Sequence, residues 1–395
     1  MHTVRSSGKQ LNILDPAVYL PALALLFLIV NPLVFSSITY VQIFILILWY
    51  ACLATSWNFV GGFAGVLPLG HAVFAGIGAY TSTLLFINAG ITPWIGMFAG
   101  GFMAVGLGLL IGSPTFKLHG GYYTLSSIAI VEVVRIITEN TQSIFGIPVQ
   151  GAQGLLLPYK GHAPLLFQFE SKIAYYYIIL ALLLIIFALT SFIRHSRIGY
   201  YLVAGGEDQE AAESLGVNVA RYKLIALSLS AFFTAIAGTF YAQLVQYVYP
   251  KGIISLNLSF EIAFIAIIGG RGTLFGPIIG AFILVPIGEL SRMYLSGSQF
   301  LGVHLMIYGG IIVLFMLFKP LPQAKPLLPE DRLDFRQRCF TKVLAGEQLL
   351  LRFDNQVAER FDVHLVQAVS APDGKLKITD GRFQDAALPA HLLLF

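Results

Sequence analysis

The sequence predicts an all-α polytopic membrane protein with about ten transmembrane or re-entrant helices and a small cytoplasmic C-terminal α/β extension. Hydrophobic residues make up 57% of the 395 positions, and the mean hydropathy is +0.78. Charged residues make up only 11%, roughly half the share in soluble domains. Of the 44 charged residues, 20 follow Ala324. We therefore expect a transmembrane domain at residues 1–324 and a polar cytoplasmic extension at 325–395.

Charge and cysteine content exclude several classes of protein. The net charge is +4, and the tail adds nothing to it because its ten basic and ten acidic residues cancel. Nucleic-acid binding therefore has no support. Cys52 stands in an apolar run and Cys339 in the tail, so we expect no disulfide framework and no metal cluster. No cofactor is predicted.

The N-terminal half reads as a series of apolar runs. Residues 1–10 carry Arg5 and Lys9 without an acid, ahead of an apolar run at 17–35. A signal peptide starts in the same way, but this run is long and no small-residue cleavage site closes it, so we expect an uncleaved span and a cytoplasmic N-terminus. Further spans of bilayer length are predicted at 38–59, 66–89, 94–116 and 121–138.

The second half begins after a polar loop at 139–172. The sixth span, 173–193, ends on basic residues such as Arg194 and Arg197, which mark a cytoplasmic face. Later spans are predicted at 224–248, 256–268, 274–290 and 299–318, so both termini are cytoplasmic. The third and eighth segments can instead be re-entrant, which leaves the number of spans uncertain by about two.

A polar island, residues 194–223, lies between two long apolar runs and marks where the chain meets water. Residues 208–215 predict a short helix within it, because acidic residues favour a helix N-terminus and Gly216 supplies a left-handed stop. Ala211, Ala212 and Leu215 are expected along one side of this helix, small enough to fit a partner's cleft; a solvated loop helix is the alternative. The candidate contact residues are Glu207, Asp208, Glu210, Ala211, Ala212, Leu215 and Gly216.

A glycine-rich break interrupts the apolar runs of the second half. Gly269, Gly270 and Arg271 follow the short eighth segment, and transporters place such irregular backbone where it lines a polar cavity. A tight cytoplasmic turn is the alternative, which the count of spans favours. A weak internal echo relates residues 61–80 to 269–288; two-fold repeats in transporters and glycine-mediated helix packing both give such a pattern.

Ionisable side chains within apolar runs are costly, which makes them candidates for a translocation path. Glu132 and Arg135 lie three residues apart and can pair, Glu261 stands in the eighth segment, and His71 begins the third helix. For each, an internally paired group that orders helix packing is the alternative. No nucleophile and base constellation occurs, and no phosphate-binding G-x-x-x-x-G-K-[ST] run, so the chain cannot hydrolyse ATP by itself.

Four separated blocks carry a resemblance to a known family. Residues 196–250 resemble the cytoplasmic loop and following span of branched-chain amino-acid ABC transporter permeases of the LivM type. The blocks LGHAVFAGIGAY within 61–80, PVQGAQGL at 148–155 and GGRGTLFGP within 259–292 agree in order. The resemblance covers most of residues 38–318.

The resemblance implies a permease subunit of an importer in a bacterial plasma (inner) membrane. The family's E-A-A-x-x-x-G is similar to Glu210, Ala211, Ala212 and Gly216, and implies a coupling helix that docks into an ATPase subunit. The implied partners are two ATPase subunits that hydrolyse ATP, a second homologous permease and an extracytoplasmic substrate-binding protein, which the loop at 139–172 would contact.

The substrate and the class of transporter have alternatives. The resemblance implies leucine, isoleucine and valine as substrates, whereas closely similar permeases carry urea or short amides. An ion-gradient-driven carrier would need no ATPase and would depend on carboxylates such as Glu261. A membrane-embedded enzyme is a third class, and this chain lacks a catalytic constellation for it.

The tail is not covered by the resemblance. Apolar residues alternate at 347–353 and 363–369, and a turn at 371–374 precedes a further stretch at 375–378. This pattern predicts a small β-containing appendage. A poorly ordered extension is the alternative, because so short a segment buries little core.

Overall fold

The fold comes from a computed structural model that describes residues 16–34, 37–116, 121–144, 147–159, 161, 163–295, 309–310 and 313, and three short strands of the tail. The chain forms two compact units, Met1–Ala324 and Lys325–Phe395. Among the described residues, the first unit is mainly helical and the second contributes three short strands.

The first unit is built from apolar helices. Their bounds are α1 Pro16–Val34, α2 Ile38–Asn58, α3 His71–Ala89, α4 Pro93–Thr115, α5 Gly121–Asn140, α6 Lys172–Arg194, α7 Arg197–Glu207, α8 Gln209–Ser214, α9 Val219–Val245, α10 Pro250–Ile253, α11 Leu256–Gly270 and α12 Gly276–Leu295. Among the described residues, seven helical stretches are long and apolar enough to cross a membrane. This confirms the predicted all-α polytopic class. The predicted span at 299–318 lies almost entirely outside the described residues.

Three predicted boundaries differ from the structure. The third helix starts at His71 rather than at residue 66, because Pro68 has no N–H and disfavours helical backbone at Leu67. The eighth segment is long enough to cross after all, because α10 extends the apolar stretch to Pro250–Gly270. The polar island holds a further helix, α7, ahead of the predicted one.

Helices α3, α4 and α9 pack closely through small residues. A Cβ added to Gly78 would lie 2.0 Å from the Ala235 carbonyl oxygen, and one added to Gly238 would lie 2.0 Å from that of Ala75. The Thr239 Oγ1 donates a hydrogen bond of 2.9 Å to the Gly78 carbonyl oxygen. Only glycine at both positions permits this backbone approach, which van der Waals contact stabilises inside a membrane.

Helix α2 connects this group to α6, α11 and α12. Trp49 illustrates the connection: its Nε1 donates a hydrogen bond of 2.8 Å to the Ala237 carbonyl oxygen of α9. Its ring stacks on Tyr241 with centroids 4.4 Å apart. The indole thus satisfies its single donor while it buries its apolar surface.

The loop between α5 and α6 is folded. Strands β1 (Ser143–Ile144) and β2 (Ile147–Pro148) form a hairpin, and β3 (Leu155–Leu156) pairs antiparallel with β4 (Tyr247–Val248), which follows α9. Phe167 is fully buried against Trp94 and Phe240. The loop is therefore attached to the ends of α4 and α9.

The second unit contains one antiparallel sheet in the order β5-β6-β7, with β5 Gln367–Ser370, β6 Leu376–Thr379 and β7 Ala387–Leu388. Strands β5 and β6 fall on or next to two of the stretches that the alternation of apolar residues predicts. The stretch predicted at 347–353 lies outside the described residues.

Candidate functional site

A non-helical segment, residues 64–70, joins α2 to α3 and lies against other helices. Backbone polar groups that are not paired in a helix need other hydrogen-bond partners when they are buried. Side chains of α2 and α5 supply them in the bonds Trp57 Nε1 to Pro68 O at 2.7 Å, Thr124 Oγ1 to Leu67 O at 2.9 Å and Leu69 N to Ser127 Oγ at 2.9 Å. The break before α3 is therefore held in place by α2 and α5.

His71 begins α3 at the end of this segment and is 1% exposed. Its Nε2 lies 2.6 Å from Ser230 Oγ on α9, while its Nδ1 has no hydrogen-bond partner among the described residues. The ring lines a cavity of about 30 Å³ together with Pro68 and Tyr123. Substrate pockets are about ten times larger, so in this conformation His71 faces a small void.

Helix α5 carries a ladder of charges. The Arg135 Nε donates a bond of 3.1 Å to Glu132 Oε2, and its Nη1 donates one of 2.9 Å to Glu139 Oε1. The three side chains are partly exposed. Only 17% of α5 is buried, against 39% to 67% of the other six spans. Most exposed side chains of α5 are apolar, whereas charge in lipid is costly, so the exposed parts of these three charged side chains need polar surroundings.

Glu261 lies on α11 and accepts a hydrogen bond of 2.5 Å from the Tyr50 hydroxyl on α2. This hydrogen bond thus joins α11 to α2. Sequence reasoning identified Glu261 but missed Tyr50, because residues more than 200 positions apart give no local signal of their contact.

Gly269 and Gly270 end α11, and Arg271 begins the tight turn that leads to α12, which is the alternative that the count of spans favours. Asn58 holds this turn from the end of α2. Its Nδ2 donates a hydrogen bond of 2.9 Å to the Thr273 carbonyl oxygen, and its Oδ1 accepts one of 2.8 Å from the Gly272 amide. Sequence reasoning missed Asn58, although an amide closing an apolar run just before a glycine pair is a usable signal.

Replacing Asn58 by leucine is expected to lower the free energy of unfolding by about 2 to 4 kcal/mol. The change leaves the Thr273 carbonyl and the buried Gly272 amide without their partner. Thermal unfolding in detergent measures the effect. Asn88→Leu is the matched control, because Asn88 is exposed and bonds only within its own helix. Equal transition temperatures for the two variants would contradict the expectation.

Helix α8 lies in the polar island as predicted, one residue shorter at each end. Asp208 is its N-cap and accepts a bond of 3.0 Å from the Ala211 amide, and Gly216 takes a left-handed φ of 85°. Glu207 ends α7, and Glu210 is exposed. Leu215 is 84% exposed. The end of the helix therefore presents an apolar side chain to solvent.

Ala212 differs from the expectation that it shares an exposed side with Ala211 and Leu215. It is 5% exposed and faces the chain's own helices, because α8 folds back against α7 and α9. The Lys223 Nζ of α9 donates a hydrogen bond of 2.7 Å to Gln209 Oε1, which fixes the orientation of α8. The exposed surface of α8 is thus formed by Glu210, Ala211, Glu213 and Ser214, with Leu215 just beyond the end of the helix.

The described residues contain no group of three or more histidine, cysteine, aspartate or glutamate side chains able to hold a metal ion. The polar candidates within the helices do not gather at one place; each has its own partner. His71 lies against α9, Glu261 against α2, and Arg135 within α5.

Comparison with known proteins gives a family match. Residues 39–316 match the model described as branched-chain amino acid transport system / permease component. The chain is 32% identical over 310 residues to the high-affinity branched-chain amino acid transport system permease protein LivM of Escherichia coli (strain K12), covering 73% of this chain and 71% of that one. It is 31% identical to LivM of Salmonella typhimurium over 71% of this chain and 69% of the other. It is 27% identical to the high-affinity branched-chain amino acid transport system permease protein LivH of Escherichia coli (strain K12), over 69% of this chain and 89% of that one.

Proposed function

Because this chain belongs to the family of permease components of branched-chain amino acid transport systems, we propose that it is the membrane-spanning permease subunit of an ATP-binding-cassette importer. Its substrates are leucine, isoleucine and valine, and two partner ATPase subunits supply the energy. The observation that carries this proposal is the family match across residues 39–316, which includes the spans and the polar island. The chain itself is a transporter subunit and not an enzyme.

Helix α8 is the coupling helix in this proposal. It is short, it is capped by Asp208, and its exposed end offers Leu215 as an apolar contact with acidic residues beside it. A groove on an ATPase subunit that covers Leu215 removes apolar surface from water, which favours docking. Ala212 supports the helix from inside rather than touching the ATPase.

A second, homologous permease covers the exposed face of α5. The support is the low burial of this helix together with the Glu132, Arg135 and Glu139 ladder, which lipid would penalise. Glu132 and Arg135 line the translocation path at that interface. His71, Glu261 and the Gly269–Arg271 turn, which are bonded or packed inside the chain, set the arrangement of helices beside the path.

Both termini lie on the cytoplasmic side of a bacterial inner membrane. Basic residues at the end of α6 support this orientation. The end of α2, the α11–α12 turn and the polar island meet at one end of the bundle, as the Asn58 bonds and the Gly65–Gly206 approach show. The folded loop between α5 and α6 is at the opposite end, where an extracytoplasmic binding protein delivers substrate.

The test is uptake of radiolabelled leucine and, separately, urea into proteoliposomes containing the whole complex. We expect leucine uptake that requires hydrolysable ATP and persists when an uncoupler collapses the proton gradient. A non-hydrolysable ATP analogue is the matched control. Urea uptake with the same ATP dependence would show that urea, and not leucine, is the substrate. Uptake that follows the ion gradient without ATP would overturn the importer proposal.

A further inference from the structure

A single residue connects α8 to the end of α7. The Asp208 amide donates a bond of 3.1 Å to the Ala204 carbonyl oxygen of α7, while its side chain caps α8 through the Ala211 amide. Tyr201 of α7 packs on Tyr222 of α9 with ring centroids 4.8 Å apart. A displacement of α8 therefore acts directly on the last turn of α7.

The last turn of α7 touches the start of the non-helical segment, backbone to backbone. A Cβ added to Gly206 would lie 3.0 Å from both the Phe63 carbonyl oxygen and the Ala64 carbonyl carbon. A Cβ added to Gly65 would lie 2.6 Å from the Gly206 carbonyl oxygen, and Gly65 has a φ of 71°. No side chain separates the two backbones, so no rotamer change can absorb a displacement between them.

The segment beyond Gly65 leads directly to α3, and there is space beside its end. Pro68, Gly70 and His71 line the cavity of about 30 Å³, whereas protein interiors are otherwise close-packed. The start of α3 can therefore shift slightly without expelling a neighbouring side chain. The hydrogen bonds from Trp57, Thr124 and Ser127 make the segment move together with α2 and α5.

The same region also touches the turn between α11 and α12. A π-helical turn, Phe59–Phe63, ends α2, and such turns are rare and frequent at functional positions. A Cβ added to Gly62 would lie 2.5 Å from the Gly272 amide nitrogen, next to the two Asn58 bonds. The π-helical turn thus lies between α7 on one side and the α11–α12 turn on the other.

We propose that the Gly65–Gly206 contact is the joint through which movement of α8 reaches the membrane helices. The joint passes displacement from α7 to residues 64–70 and to the π-helical turn, and hence to the start of α3 and to the α11–α12 turn. Gly206 and Gly65 are positioning residues, since they act through these elements. The inference rests on the proposed function in one respect, namely that an ATPase subunit moves α8.

The test compares Gly206→Ala and Gly65→Ala complexes with the unaltered complex in proteoliposomes. The measured quantity is the number of leucine molecules transported per ATP hydrolysed, together with the ATPase rate and the thermal transition of the purified complex. Because an added methyl group forces the two backbones apart, we expect this ratio to fall roughly fivefold or more, in the range of typical coupling between sites. The ATPase rate should stay close to that of the unaltered complex, because neither glycine touches the ATP-binding subunits.

Gly106→Ala is the matched control, because nothing lies within 4 Å of a Cβ added there. An unchanged transport ratio in both joint variants would overturn the joint. The joint would also be overturned if transport fell only in proportion to a loss of assembly or thermal stability, because the contact would then contribute to packing and not to coupling. Absence of ATP-dependent uptake by the unaltered complex would instead be a failure of the proposed function.

Discussion

Leu215→Asp is expected to separate this permease from the proposed ATPase subunits and to abolish the proposed ATP-driven uptake. Leu215 is 84% exposed at the end of α8, so the change costs the permease itself little. Burying a leucine side chain in a partner contributes about 1.5 to 3 kcal/mol, and a buried carboxylate without a partner costs more. A loss of about 3 kcal/mol corresponds to roughly 100-fold weaker association. Co-purification of the ATPase and leucine uptake measure it.

The matched control for this prediction is Leu165→Asp. Leu165 is 77% exposed in the folded loop between α5 and α6, at the other end of the bundle. This variant should retain its ATPase subunits, because the same chemical change is made far from α8. Retention of the ATPase at wild-type affinity by Leu215→Asp would refute the assignment of α8 as the coupling helix.

Gly238→Leu is expected to prevent accumulation of folded permease. An added Cβ would lie 2.0 Å from the Ala75 carbonyl oxygen, and backbone of a packed helix cannot move aside as a side chain can. Forcing α3 and α9 apart also breaks the bond from Thr239 to Gly78. Overpacking of a core side chain costs about 1 to 3 kcal/mol, and this backbone clash exceeds it, against a total stability of about 5 to 15 kcal/mol.

Yield in membranes and monodispersity in size-exclusion chromatography measure this effect. Gly106→Leu is the control, because Gly106 lies on an exposed face of α4 with nothing within 4 Å of an added Cβ. The control should be recovered at the wild-type level. A monodisperse Gly238→Leu protein with an unchanged thermal transition would show that α3 and α9 do not depend on this approach.

The class and most helix positions could be predicted because a bilayer demands roughly 20 apolar residues per span, a signal that each run carries by itself. Pro68 is a local signal that no helix begins at residue 66, but the conformation of the segment at 64–70 could not be predicted, since it is stabilised by bonds from Thr124 and Ser127 on another helix. The orientation of Ala212 likewise depends on Lys223 holding α8 against α9. Contacts between distant residues thus decide what local patterns leave open.

The candidate site shows the same division. Residue type and spacing identified Glu132 and Arg135, which pair within one helix. They did not identify Asn58 or Gly206, whose contacts cross from one element to another. An amide that ends an apolar run signals only that it needs a polar partner, and a glycine has many ordinary uses, so the three-dimensional structure is needed to show what each of them touches.

The pairing of β3 with β4 has a consequence for the order of synthesis. Tyr247 donates a hydrogen bond to the Gln153 carbonyl oxygen, 94 positions earlier in the chain. At about 5 to 20 residues per second, the ribosome supplies that partner roughly 5 to 20 s after the loop itself has been made. Until α9 has been inserted, the nascent loop lacks the strand that completes it, and chains truncated before residue 247 never acquire that strand.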